Sequence, residues 1–216
     1  MVKAIKRSND IYFYKAGERL GVENIKKWAE RFGLGRVTKF PFSQSEGLIP
    51  SQFWKEEILK EQWYLGDTYN LSIGQGYVLT TPIQIAQATA VFANGGYLCD
   101  PLLSQDDKSN CLKMSISSDT IKVIREGMRQ ACDTGGTGWP FFEYKVNGKR
   151  INVGCKTGTA EAHGYSSPEP HAWFTIFAPY EKPEIVLTVL VENGGQGSDI
   201  AAPIAKELLN TYFEER

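Results

Sequence analysis

The stretch INVGCKTGTAE occupies residues 151–161 and holds the most informative pattern in the chain. Its first half alternates apolar and polar residues, which predicts a β-strand leading into Lys156. A fixed lysine beside the hydroxyls of Thr157 and Thr159 can bind a carboxylate through charge-assisted hydrogen bonds. Gly158 has no Cβ, so an extended peptide could lie close to this strand, where backbone N–H groups could also stabilise an oxyanion. The alternative is an edge strand with a solvated lysine.

Two further strands and a closing helix follow this segment. Residues 172–178 and 185–191 are dominated by Val, Ile, Thr, Phe and Trp, a composition typical of strands. The loops that join the three strands are too short to hold a crossover helix, so we expect an antiparallel sheet. The last helix should turn one apolar face inward, formed by Ile200, Ile204, Leu208, Leu209, Tyr212 and Phe213.

Helices are expected upstream of the sheet. The clearest has Thr80 or Thr81 as its cap, Pro82 in its first turn and an Asn-Gly-Gly run at its end. Asp10 is expected to cap an earlier helix, whereas residues 35–76 show little periodicity and are long for a loop. The helices are expected at about 10–20, 22–32, 83–92 and 119–132. Helices before and after an antiparallel sheet indicate an α+β fold.

Composition narrows the classes of function. The 216 residues can form one large domain or two small ones with a sizeable core. A net charge of −1 without a basic stripe gives no reason to expect nucleic-acid binding. No stretch reaches the ~18 apolar residues that span a bilayer, so a membrane anchor of the parent protein is expected to lie outside this sequence.

The cysteines and histidines do not predict a metal site. The four cysteines include no C-x-x-C pair, and the chain has only two histidines. Cys99 and Cys111 are able to form a disulfide in an oxidising compartment, but buried free thiols are the favoured interpretation. His163 and His171 have no nameable serine or cysteine partner for proton transfer, and His171 is expected to be a hydrogen-bonded structural residue.

Several further motifs stand in a fixed order around KTGTAE. They are LSIGQGY at 71–77, TTPIQ at 80–84, ANGG at 93–96, HAWF at 171–174 and AP at 178–179. In this order the motifs resemble class B penicillin-binding proteins, the peptidoglycan D,D-transpeptidases. WYLGDT at 63–68 is similar to the elongation-type branch, which makes side-wall peptidoglycan with the rod-shape machinery. The likeness extends from about Ser8 to Phe213, nearly the whole chain.

The resemblance implies a fold. Members of this family have a β-lactamase/transpeptidase-like domain, in which helices flank a five-stranded antiparallel sheet. Residues 1–216 would be the C-terminal portion of a single transpeptidase domain and would supply the last three strands. The strand at 185–191 should then show an open edge, and the helix at 83–92 should be less covered.

The resemblance also implies roles for residues of the Lys156 strand. The K-T-G motif falls on Lys156, Thr157 and Gly158, and the oxyanion N–H contributed by this strand falls on Thr159. Thr157, Gly158 and Thr159 would bind the terminal carboxylate of a peptidoglycan stem peptide or of a β-lactam. Lys156 and Thr159 would be catalytic.

A second motif of the family, S-x-N, falls on Ser8-Asn9-Asp10. The third residue departs from the common Asn and resembles the S-x-D of elongation-type members. Ser8 would relay a proton between the lysine base and the leaving amine, and Asp10 would support this transfer. The alternative is that Ser8 and Asp10 only cap helices.

The first motif of the family, S-x-x-K, is missing, because no serine of the chain has a lysine three residues later. In the family this serine attacks the penultimate D-Ala carbonyl, and its lysine is the proposed base. We therefore expect this chain alone to be inactive. It would be completed by the missing N-terminal part of the same domain or by a homodimer partner. No metal or organic cofactor is implied. The parent protein would be membrane-anchored and would work in the periplasm or at the extracytoplasmic face of the bacterial inner membrane.

Two other functions remain open. The chain could be a non-catalytic interaction module that binds a cell-wall complex or regulates a full-length paralogue. A remnant of a serine β-lactamase or D,D-carboxypeptidase would also carry K-T-G, but the residues at 63–68 and 74–84 favour the transpeptidase branch.

Overall fold

A computed structural model of the chain describes residues 1–104, 106, 108–161 and 169–215. Along the chain the elements are α1 (Val2–Arg7), α2 (Asp10–Leu20), α3 (Val22–Arg31), α4 (Gln52–Trp54), α5 (Leu65–Ser72), α6 (Pro82–Ala93), β1 (Tyr97–Cys99), β2 (Cys111–Lys113), α7 (Ser118–Ala131), β3 (Lys145–Val146), β4 (Lys149–Arg150), β5 (Gly154–Ala160), β6 (His171–Ala178), β7 (Ile185–Val191) and α8 (Ala202–Glu214). Short π-helical turns cover Lys55–Leu59 and Gly197–Ala201, and a 3₁₀ turn covers Trp139–Phe141.

The chain divides into two compact units. The first comprises Met1–Ser8, Thr89–Tyr97 and Lys113–Arg216, and the second comprises Asn9–Ala88 and Leu98–Leu112. Within the described ranges, none of the helices combines the length and the apolar character needed to cross a bilayer.

The first unit contains a three-stranded antiparallel sheet in the order β5-β6-β7. In its register Lys156 lies opposite Thr175 and Gly158 opposite Trp173, while Trp173 lies opposite Leu190 on the other side. The predicted antiparallel sheet and α+β class are therefore confirmed. Strand β5 begins at Gly154, later than expected, because Ile151 instead donates its N–H to the carbonyl of Tyr144 outside the ladder. The small strand pairs β1–β2 and β3–β4 were not predicted.

The core of the first unit lies between the sheet and helices α7 and α8. Fully buried side chains include Phe141, Phe174, Ile176 and Leu209. The inward face expected for α8 is only partly correct, since Ile200, Ile204 and Leu208 are 40%, 40% and 50% exposed. Helix α8 instead packs through small residues, Ala202 and Ala205, together with Leu209. The larger residues stand on a neighbouring stripe that no described element covers.

The outer edge of the sheet is formed by β7. Among the described residues this strand pairs with β6 and with no other strand. Every residue from Ile185 to Val191 is half-buried. The expected open edge is therefore present. The apolar residues Ile83, Ile85 and Phe92 of α6 are also only half-buried.

The second unit is helical, and its loops are organised by hydrogen bonds from side chains. Helix α2 is capped by Asn9, whose side chain accepts from the N–H of Tyr12, so the expected cap at Asp10 is wrong. Asp10 occupies the first turn instead, where its charge suits the helix dipole. The cap expected at Thr81 is correct, since its Oγ1 accepts from the N–H of Gln84.

The segment 35–76 is more ordered than its lack of periodicity suggested. Its later part contains α4, the π turn and α5, which are tied together by the buried side chain of Lys55. Lys55 Nζ lies 2.8 Å from Asp67 Oδ2, and Asp67 also accepts from the N–H of Tyr64 at the start of α5. The hydrogen bond from Lys55 to Asp67 is the main cause that raises the pKa of Lys55. The earlier part of the segment is held by Gln84 of α6. This side chain is fully buried and donates to the carbonyls of Arg36 and Glu46.

All four cysteines are paired. Cys99 is bonded to Cys111, and Cys132 is bonded to Cys155. The favoured interpretation as free thiols is therefore wrong. The Cys132–Cys155 pair was not considered from the sequence, because its two members approach only when the end of α7 packs against β5.

Candidate active site

The described structure brings two of the predicted catalytic residues together in the first unit. Lys156 Nζ donates to Ser8 Oγ over 2.8 Å, although the two residues are 148 positions apart. The same ammonium group donates to the carbonyl of Thr157 over 2.6 Å. Both Lys156 and Ser8 are half-buried. A cation held in hydrogen-bond contact with a hydroxyl can exchange a proton through it, which is the arrangement that proton relay requires.

Ser8 is positioned by the end of helix α1. It adopts a left-handed conformation (φ 49°, ψ 55°), and its N–H donates to the carbonyl of Ile5. Helix α1 lies directly on α7, because a Cβ on Gly127 would be 2.7 Å from Ile5 Cδ1. Lys6 adds a hydrogen bond to the carbonyl of Thr134. Ser8 is thus the C-cap of α1 through its backbone N–H, and its hydroxyl in addition accepts a hydrogen bond from Lys156.

The two threonines of β5 have hydroxyl partners of their own. Thr157 and Thr159 share one face of the strand, since side chains alternate along it. Thr157 Oγ1 donates to Thr137 Oγ1 over 2.9 Å, and Thr159 Oγ1 donates to Gln196 Oε1 over 3.1 Å. Neither Thr137 nor Gln196 was identified from the sequence. A lone hydroxyl between the glycines of GGTG at 135–138 was the available signal for Thr137.

The loop that carries Thr137 is closely packed. A Cβ on Gly136 would lie 2.2 Å from the carbonyl oxygen of Ala131, and one on Gly138 would lie 2.6 Å from Cys155 Sγ. The N–H of Gly138 donates to the same Ala131 carbonyl over 2.8 Å. The loop therefore rests on the end of α7 and on the Cys132–Cys155 disulfide. Thr137 is held in place by its neighbours.

Gly158, the glycine of the K-T-G motif, is closely packed on the side to which a Cβ would point. A Cβ on Gly158 would lie 3.0 Å from the Cβ of Trp173, its cross-strand partner. Gly197, in the turn before α8, is pressed against the same place, since a Cβ there would lie 2.3 Å from the carbonyl oxygen of Gly158. Gly158 thus makes room for Trp173, and Gly197 allows the turn to approach the strand.

The turn after Gln196 is stabilised by Asp199. Its carboxylate accepts hydrogen bonds from Ser198 and from Trp139 Nε1. These two hydrogen bonds, first from Ser198 and then from Trp139, hold the pKa of Asp199 below its ordinary value. The carboxylate therefore stays ionised at neutral pH and joins the turn to the segment that follows the GGTG loop.

The remaining predicted residues lie elsewhere. Asp10 is exposed and belongs to the second unit, as the first residue of α2. His171 accepts a hydrogen bond from the N–H of Asn193 through Nδ1, which confirms its structural assignment, and His163 lies outside the described residues. In the described ranges, no group of three or more His, Cys, Asp or Glu side chains could hold a metal ion.

Comparison of the chain with known proteins identifies the family to which it belongs. The family described as "Penicillin binding protein transpeptidase domain" matches residues 1–210. The chain belongs to this family. The match includes Ser8, Thr137, Lys156 and both threonines of β5, so it covers the whole of the site described above.

Individual relatives agree with the family match. The peptidoglycan D,D-transpeptidase MrdA of Haemophilus influenzae is 33% identical over 99% of this chain and 36% of its own length. The complex between penicillin-binding protein PBP2 and MreC from Helicobacter pylori matches with a TM-score of 0.83 and 32% identity, over 99% of this chain and 39% of the other. Pseudomonas aeruginosa PBP2, solved in complex with WCK 5153, gives a TM-score of 0.82 and 33% identity, over 98% of this chain and 48% of the other. This transpeptidase-family chain therefore spans between a third and a half of the length of these relatives.

Proposed function

We propose that this chain supplies the carboxylate-binding and proton-relay side of a D,D-transpeptidase active site, which cross-links peptidoglycan by acyl transfer through a serine. The observation that carries the proposal is the 2.8 Å contact between Lys156 Nζ and Ser8 Oγ beside the hydroxyls of β5. Nothing in the spacing of two residues so far apart requires them to meet. Their meeting is what the resemblance of residues 8–10 and 156–158 to the S-x-N and K-T-G motifs of this family predicts.

Each residue then has a role in the acyl transfer. Lys156 attracts the terminal carboxylate of a stem peptide or of a β-lactam, which Thr157 and Thr159 bind through hydrogen bonds strengthened by the ligand's charge. Ser8 passes a proton between Lys156 and the leaving amine. The N–H of Thr159 stabilises the oxyanion, and loss of one such donor typically costs about 3–4 kcal/mol of transition-state stabilisation.

The attacking serine is proposed to lie outside these residues. No serine among the 216 is followed three positions later by lysine, so the chain has no S-x-x-K motif. Its relatives named as D,D-transpeptidases are much longer than the region matched here. We therefore expect that the chain requires a partner segment with that motif before it can react with a β-lactam.

The place where such a segment docks is proposed to be the edge of β7. This strand pairs with β6 alone in the described structure, and its N–H and C=O groups on the other side are available for a further strand. Helix α8, which packs on β6 and β7, presents an exposed apolar stripe at Ile204 and Leu208. An open edge next to an uncovered apolar stripe fits the first strands and a helix of the same domain. A homodimer through the same edge is the competing arrangement.

The setting of the reaction follows from the same proposal. The parent protein would be anchored in the bacterial inner membrane by a segment outside this sequence and would act at its extracytoplasmic face. The Helicobacter pylori relative was solved together with MreC. We propose a protein of the same kind as a partner of the complete enzyme.

A non-catalytic interaction module is the second candidate function. The missing S-x-x-K motif favours it, since a chain without a nucleophile can still fold and bind a cell-wall complex. The two candidates differ in what happens when the missing segment is supplied.

Labelling with a fluorescent penicillin tests the proposal. The isolated chain should remain unlabelled, and co-production with an S-x-x-K segment from the same family should give a soluble assembly that becomes covalently labelled. Lys156→Gln in that assembly should reduce the rate of labelling about 100-fold or more. The substitution removes the ammonium group that both attracts the carboxylate and exchanges a proton with Ser8. Labelling of the isolated chain would contradict the missing nucleophile. A stable assembly that never reacts would favour the interaction module.

A further inference from the structure

In this structure the two hydroxyls proposed to bind a carboxylate both donate their hydrogens to other side chains of the protein. Thr157 gives its only hydroxyl proton to Thr137, and Thr159 gives its own to Gln196. A threonine hydroxyl has one hydrogen to donate, whereas a carboxylate can only accept. Both threonines must therefore release these bonds before either can donate to a bound anion.

We infer that Thr137 and Gln196 are positioning residues that reverse these two hydrogen bonds when a carboxylate binds. In the bound arrangement Thr137 donates to Thr157 Oγ1, which frees the hydrogen of Thr157 for the ligand. Gln196 turns its amide so that Nε2 donates to Thr159 Oγ1, with the same result. The reversal requires only rotation of hydroxyl and amide groups, and no proton is transferred from one residue to another.

Both residues have side chains that suit such a reversal. A hydroxyl and a primary amide are each able to donate as well as accept, whereas a carboxylate in the same place could only accept, and Val or Leu could do neither. A donor behind a hydroxyl also polarises it, so that its own bond to the anion becomes stronger. Thr137 and Gln196 thus act on the ligand through Thr157 and Thr159.

The backbones that carry the two residues are held in place, so the reversal is confined to side-chain groups. Gly136 and Gly138 on either side of Thr137 have no room for a Cβ. Gly197, directly after Gln196, is pressed on the carbonyls of Gly158 and Trp173. The distance between each positioning residue and its threonine is therefore set by packing.

This inference rests on the proposed function, and it is tested on the assembly of the chain with its S-x-x-K segment. The measured quantity is the second-order rate constant of acylation by benzylpenicillin, which has the carboxylate, and by its methyl ester, which lacks the charge. Thr137→Val should slow acylation by benzylpenicillin about 5-fold, the typical effect of one hydrogen bond, and should change the ester rate less than about 2-fold. Thr137→Ser, which keeps the hydroxyl, should restore the wild-type rate.

Gln196→Glu provides the matched variant on the other side. Its carboxylate can accept from Thr159 but cannot donate, so the acylation rate with benzylpenicillin should fall about 10-fold or more, and the ester should again be much less affected. The slower acylation should result from a higher apparent dissociation constant of the initial complex, whereas the rate of the bond-forming step should stay unchanged.

The outcomes separate the two proposals. A wild-type assembly that does not react with benzylpenicillin would overturn the proposed function and this inference with it. A reactive wild type in which Thr137→Val slows the ester as much as benzylpenicillin would leave the proposed function intact and overturn the inference, since the effect would then be structural. Failure of Thr137→Ser to restore the rate would overturn it as well.

Discussion

Removal of the Cys132–Cys155 disulfide should weaken both the stability of the first unit and its carboxylate site. The variant is Cys132→Ala combined with Cys155→Ala. The bond joins residues separated by 23 positions, and constraint of a loop of that length in the unfolded chain contributes about 3.4 kcal/mol. Both cysteines are buried, at 4% and 0% exposure, so loss of the two sulfur atoms leaves space in the core that adds about 1 kcal/mol.

The second disulfide provides a matched control. Cys99 and Cys111 are separated by 12 positions, for which the same relation gives about 2.8 kcal/mol. Cys99→Ser combined with Cys111→Ser should therefore cost nearly as much stability. This pair lies in the second unit, whereas the residues of β5 belong to the first.

The two variants should differ in their effect on the site. Cys155 directly precedes Lys156, and its sulfur is the closest atom to the position of a Cβ on Gly138. Without that sulfur the loop that holds Thr137 loses part of its support. We expect acylation of the assembled protein by benzylpenicillin to fall about 5-fold in the Cys132/Cys155 variant and to stay near wild type in the control.

Urea unfolding followed by circular dichroism measures the stability of each variant, and titration of thiols in the oxidised native protein checks the pairing. A Cys132/Cys155 variant as stable as wild type within about 0.5 kcal/mol would refute the entropic reasoning. Four titratable thiols in protein prepared under oxidising conditions would refute the disulfides themselves.

Two further expectations concern buried polar side chains. Gln84→Leu should destabilise the second unit by about 2 kcal/mol in urea unfolding, because the carbonyls of Arg36 and Glu46 lose their donor; an unchanged midpoint would show that water replaces the amide. Burial raises the pKa of Tyr144 to about 12, so folding favours the neutral form of its side chain. The resulting contribution to the free energy of unfolding is fully present below pH 10 and is lost as the pH rises towards 12. Tyr144→Phe should make the stability curve flatter over that interval, and an equally steep fall would contradict the assignment. The same variant removes the hydrogen bond to Asn210, so it should be less stable at neutral pH by about 1 kcal/mol.

The strands and the clearest helix were predictable because the local sequence determines them. Residues 172–178 and 185–191 are apolar-rich runs in which β-branched and aromatic side chains dominate, a composition typical of a half-buried sheet. Helix α6 has a threonine cap, a proline in its first turn and a glycine pair after its end, so its boundaries were visible as well.

The errors arose where a choice depends on tertiary contacts. Asn9 and Asp10 are both good helix caps, and only the path of the chain out of α1 selects Asn9. Periodicity located the apolar residues of α8 but could not tell that Ala205 faces the sheet while Ile204 faces outward. A helical pattern reports which residues share a stripe, and the packing of neighbouring elements decides which stripe is covered.

The candidate site was predictable only through resemblance to a family. Spacing alone does not bring Ser8 to Lys156, and the carboxylate-binding role of β5 follows from motifs in register. Thr137 and Gln196 were missed because the GGTG loop looked like a simple break in the chain, and Gln196 belongs to no recognised pattern. Their importance depends on distances between hydroxyl groups, which a sequence does not contain.

The composition of β7 has a practical consequence for handling this polypeptide. From Ile185 to Val191 the strand carries no charge and no proline, and its only acidic neighbours, Glu184 and Glu192, stand just beyond its ends. Strands of this kind stack on copies of themselves when nothing else covers them. Protein concentration, more than temperature, should therefore limit the solubility of the isolated chain.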